Sequence, residues 1–113
     1  GRQRAWLGVR AAEARMKPIR LKKKMLTRGR LSLLLHDIGA LYTAMDEGVS
    51  LCPVAGTTSG AAELHVGDEL MARSRRFGGG RKATIRLAYM DLAAQMCERL
   101  AKELREQIEQ EVS

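Results

Sequence analysis

Aromatic residues are scarce: Trp6, Tyr42, Phe77 and Tyr89 are the four in 113 residues. So few rings leave a core to be built from Leu, Ile, Val, Met and Ala, which favours helices over pleated surfaces. They also exclude base stacking as the main source of affinity for a single-stranded nucleic acid. No run approaches the roughly 18 to 20 apolar residues of a membrane span. Residues 1–30 alternate Arg with apolar residues and hold no signal-peptide core, so the chain reads as soluble and intracellular. The two cysteines, Cys52 and Cys97, have no second Cys or His at metal-binding spacing. We expect two unpaired thiols in a reducing compartment, with no metal and no cofactor.

Catalytic signatures are missing as well. Of the two histidines, His36 falls off the apolar stripe of its segment, and a nucleophile–base pair with His36 or His65 would need long-range contacts that the sequence does not show. The adjacent carboxylates Asp46–Glu47 and Asp68–Glu69 would diverge by about 100° on a helix and do not converge on a metal. The chain is not read as an enzyme.

What is present is charge in blocks. Residues 1–30 carry eleven Lys or Arg against Glu13 alone, and residues 31–72 carry six acids and no base. Residues 73–90 then hold six bases and no acid, and residues 91–113 three bases against six acids, within an overall +7. Surfaces of mixed sign intersperse their charges to limit self-repulsion, so this segregation is the main clue to function. The dense basic blocks fit a polyanion, because each Lys or Arg on a phosphate releases condensed counterions. The predicted contacts are Arg20, Lys22, Lys23, Lys24, Arg28 and Arg30 in the first block, and Arg73, Arg75, Arg76, Arg81, Lys82 and Arg86 in the second. The alternative is charge pairing within or between protein chains: the basic arm folded back on the acidic middle of its own chain or of a neighbouring subunit, or a helical adaptor or inhibitor docking its basic blocks on an acidic protein partner.

Periodicity predicts an all-α fold: a small helical bundle behind a basic N-terminal arm or short helix over residues 1–26, with residues 27–113 as the helical domain. Leu31, Leu34, Leu35, Ile38, Leu41, Tyr42 and Met45 follow helical spacing, which predicts a helix over about 30–47 with Gly48 as its C-terminal cap. Pro53, two glycines and a hydroxyl cluster mark residues 49–60 as a loop. A second helix is expected over about 68–77. The stretch "AAELHVGDEL" carries an alternative, a β-hairpin of two short strands around Val66–Gly67.

A long third helix is expected over about 84–111. Its apolar side, Ile85, Tyr89, Leu92, Met96, Leu100, Leu104 and Ile108, advances mostly in steps of four and drifts around the axis, unlike a heptad. Such a helix outreaches the rest of a small chain. Self-association is therefore expected, with Leu92, Met96, Leu100, Leu104 and Ile108 at the interface.

Between the last two helices stands "SRRFGGGRKAT". It lacks the Gly-Lys-Ser/Thr order of a nucleotide-binding P-loop. Two readings remain: a hinge that lets the chain reverse, or a phosphate site made by flanking arginines and the first turn of the helix that follows. The sequence reading is thus a small basic oligomeric protein that binds DNA or RNA through the phosphate backbone with weak sequence selectivity.

Overall fold

The computed structural model describes residues 16–43, 48–54, 60–79 and 81–113, apart from the side chains of Arg81 and Lys82. Residues 1–15, most of the expected N-terminal arm or helix, lie outside the described residues. The fold is α+β rather than all-α. A helix α1 (Arg28–Ala40) is followed by strands β1 (Val49–Pro53), β2 (Ala62–Val66) and β3 (Glu69–Arg73), then by a long helix α2 (Arg81–Val112). The strands form an antiparallel sheet in the order β1-β2-β3.

α1 starts where Thr27 accepts a hydrogen bond from the Arg30 N–H at 3.3 Å, a side-chain N-cap. It ends seven residues before the expected limit. The Leu41 and Tyr42 N–H groups bond back to Ile38 and Gly39 at 3.1 and 3.0 Å, tightening the last turn. Leu31, Leu35 and Ile38 are buried while Leu34 and Leu41 are exposed, so the inward face is narrower than the sequence stripe.

The expected loop at 49–60 begins with β1, and the expected helix at 68–77 is β3. In β2 the alternation is regular: Ala62, Leu64 and Val66 face the core, with Glu63 and His65 on the open side. β3 breaks that alternation because its register shifts opposite Leu64 and His65, where Ala72 and Leu70 pair and Met71 is the extra residue. The bulge sets Leu70 and Met71 side by side in a way that imitates a helical pattern. The hairpin alternative around Val66–Gly67 describes what forms.

Both helices lie on one face of the sheet. The core joins Leu35 and Ile38 of α1, Ala62, Leu64 and Ala72 of the sheet, and Ala88, Leu92, Ala93 and Met96 of α2. α1 and α2 run in the same direction: Leu26, just before α1, bonds to Arg86, and Tyr42, just after it, lies against Arg99. α2 runs antiparallel to β3, with Asp91, Gln95 and Arg99 bonding to backbone groups of Arg75, Arg73 and Met71. The basic starts of the helices therefore share one end of the molecule. The acidic hairpin tip at Asp68 and Glu69 lies toward the other.

Candidate nucleic-acid interface

The connection from β3 to α2 is a shaped turn. Ser74 is buried; its backbone N–H bonds to the Ala62 carbonyl at 2.9 Å, and its hydroxyl accepts from the Ala62 N–H and donates to the Arg75 carbonyl, each at 2.9 Å. Arg75 donates its backbone N–H to Asp91 Oδ2 at 2.7 Å, pairs through its guanidinium with Asp91 Oδ1 at 3.6 Å, and lies over the Phe77 ring. Phe77 and Gly60 exchange two backbone hydrogen bonds, 3.0 and 3.2 Å long. Gly60 in turn lies against the backbone of Thr84, a fully buried residue of the first α2 turns. Gly79 adopts φ +116°, a conformation L side chains rarely take. The start of α2 is held by the sheet, which is not the behaviour of a free hinge.

The two basic blocks of the sequence meet here. Lys23 and Lys24 lie in a single 3-10 turn, Lys23–Met25, with Lys22 just before it, and all three side chains are exposed. Immediately after them, the Leu26 carbonyl accepts a hydrogen bond from Arg86 Nε at 2.6 Å, across sixty residues of chain. Arg28 and Arg30 are exposed in the first turn of α1. Arg20 is exposed in the arm, and Arg81 and Lys82 open α2.

Charge at this end runs against the helix dipoles. Neither helix carries an acid in its first turn or a base in its last. Parallel helices place both positive ends side by side, and cations there are unfavourable unless an anion answers them.

The predicted contacts are not equivalent. Arg73 pairs with Glu63 at 3.5 Å on the open sheet face, next to a His65–Glu63 contact at 3.1 Å. Arg75 is committed to Asp91, and Arg86 to Leu26. Arg76 is exposed with no ion-pair partner among the described residues.

The predicted self-association residues divide. Leu92 and Met96 are fully buried in the chain's own core, and Leu100 packs against that core, because the sheet that covers this face of α2 was not anticipated. Leu104 and Ile108 are exposed.

Both cysteines are free thiols. Among the described residues no group of three or more His, Cys, Asp or Glu could hold a metal ion, and no helix is long and apolar enough to cross a membrane. The open sheet face carries Ser50, Cys52, Glu63 and His65 and no Phe, Tyr or Trp; Tyr42, Phe77 and Tyr89 pack against the core.

The sequence missed Leu26, Gly60, Thr84 and Asp91, which assemble this end. Each acts on a partner at least sixteen residues away, so no local pattern marks it. Comparison with protein-family models, curated proteins and solved structures finds no match for this chain.

Proposed function

We propose that the protein binds a double-helical nucleic acid, DNA or RNA, through its phosphate backbone and with weak sequence selectivity. The observation that carries this reading is the Arg86–Leu26 hydrogen bond, which brings basic blocks separated by an acid-only stretch of sequence to one end of the fold. The aligned positive ends of α1 and α2 reinforce it. Phosphates of a duplex present a row of anions to such an end, and neutralising them releases counterions.

A duplex is favoured over a single strand because Tyr42, Phe77 and Tyr89 pack against the core and do not form an open platform for unpaired bases. Contacts of this kind position a protein on its target without reading bases.

The test is fluorescence anisotropy with labelled duplex DNA, duplex RNA and single strands of the same sequences at about 50 mM salt. Duplex binding that survives scrambling of the sequence supports the reading. Absence of binding to every nucleic acid overturns it, and places the basic end on an acidic protein partner instead.

A further inference from the structure

α2 outreaches the body it packs on. Its buried residues end at Met96, and beyond Leu100 no residue is buried. The last three turns instead expose Leu104 (55%), Ile108 (56%) and Val112 (74%), a ridge of residues spaced by four that continues from Leu100. Large apolar side chains aligned on an otherwise charged projecting helix form a docking face.

Charge along the projection identifies what docks there. Taking Glu106 as centre, the seven residues before it carry Arg99, Lys102 and Arg105 against Glu103, for +2. The seven after it carry Glu109 and Glu111 and no base, for −2. A second copy laid antiparallel sets each positive half beside a negative half and opposes the two helix dipoles. A parallel copy would set like against like.

We propose that this tip is a self-association surface, in which two copies cross antiparallel through Leu104, Ile108 and Val112 about a twofold axis near Glu106. Rows of residues spaced by four interdigitate when helices cross at about 50°, which accounts for a stripe that drifts where a heptad would hold still. The contact is isologous and closes at two copies. It spans about three turns per copy, well below the roughly 1,200 Å² of a stable complex, so the dimer is weak and reversible. The surface lies at the opposite end of α2 from the basic end and does not depend on the nucleic-acid reading.

The experiment is sedimentation equilibrium of the full chain, freed of nucleic acid by nuclease treatment, over about 5 to 200 µM. A reversible monomer–dimer equilibrium is expected, weakened at least about tenfold by Ile108→Glu and by Leu104→Glu, each of which would bury an unpaired charge. Far-UV circular dichroism must show unchanged helicity in at least one of the two. Lys102→Glu should weaken the dimer about threefold at low salt, and adding Glu111→Lys should restore it. A monomer throughout the range, or a dimer indifferent to both apolar substitutions, overturns the surface. A dimer that Lys102→Glu leaves unchanged or strengthens overturns the antiparallel arrangement.

Discussion

Gln95 donates from Nε2 to the backbone carbonyl of Arg73 at 3.0 Å, the middle of three contacts that fasten α2 along the free edge of β3. One step back along the helix, Asp91 Oδ2 accepts the Arg75 N–H at 2.7 Å; one step forward, Arg99 donates to the Met71 carbonyl. Four residues of helix rise about 6 Å and two residues of strand about 6.6 Å, so side chains at every fourth helical position meet every second strand residue. Backbone groups that an edge strand would leave open to another chain are thereby satisfied within the molecule.

The contacts differ in expected weight. Asp91→Ala removes a charged acceptor from the Arg75 N–H together with the Arg75 ion pair, and should cost about 1.5 to 3 kcal/mol. Gln95→Ala removes the bond to the Arg73 carbonyl and a longer one, 3.3 Å, to Asp91 Oδ2, and should cost about 0.5 to 1.5 kcal/mol while leaving the Arg75–Asp91 contacts in place. Urea unfolding monitored by circular dichroism gives both values. Equal costs, or an Asp91 cost below that of Gln95, would mean that the Asp91 contact does not hold the turn.

Glycine substitutions distinguish a shaped turn from a linker. A Cβ on Gly60 would overlap the Thr84 backbone and side chain, so Gly60→Ala should displace the start of α2 and cost about 1 to 3 kcal/mol or more. Gly79→Ala is strained by its φ of +116° and should cost about 1 kcal/mol. Gly78 faces open space, and its replacement by Ala should be neutral or slightly stabilising. Thermal melts of the three variants should keep that order.

Much of the helical structure was legible in the sequence because it is written locally: the apolar spacing of Leu31, Leu35 and Ile38 in α1, and the long period of α2. The sheet was legible only in the regular alternation of Ala62, Leu64 and Val66. β1 hides behind Pro53 and the hydroxyl-rich sequence that follows, and the β3 bulge at Met71 erases the period-two signal. Misreading the sheet also assigned Leu92 and Met96 to an interface between copies, whereas strands and α1 of the same chain cover them. The candidate site was visible as two charge blocks. Their meeting was not, since the Arg86–Leu26 contact depends on the path of the whole chain.

Alkaline pH should weaken the fold through Tyr42. Its ring lies beneath the Arg99 guanidinium and its hydroxyl is buried. Burial, followed by the nearby Glu103 carboxylate, raises its pKa above the ordinary 10.0. A phenol harder to ionise in the folded chain than in the unfolded one contributes stability that is intact below pH 10 and is lost as pH rises through the folded value. Tyr42→Phe should therefore flatten the stability profile above about pH 10 while leaving it unchanged or slightly raised at pH 7. Urea midpoints of both proteins across that range check the sign, and a parallel decline would assign the alkaline loss to other groups.

The basic end makes a prediction in which charge and geometry separate. If five to eight phosphates are neutralised, log K on a duplex should fall with log[salt] at a slope of about −4 to −7, since each contact contributes about 0.9. Changing Lys22, Lys23 and Lys24 together to Ala should reduce that slope by up to about three units, because their side chains are exposed and removing them leaves the fold intact. Arg86 acts differently: its Nε hydrogen bond to the Leu26 carbonyl fixes the lysine turn against α2. Arg86→Lys keeps the charge but lacks the guanidinium Nε that makes this contact, so affinity should fall several-fold while the salt slope stays nearly constant. Restoring affinity would then require a second way of tethering the arm, not added charge. Anisotropy titrations at four or five salt concentrations measure both quantities. If Arg86→Lys binds as tightly as the parent chain, the tether does not organise the site, and the two basic blocks act as independent patches of charge.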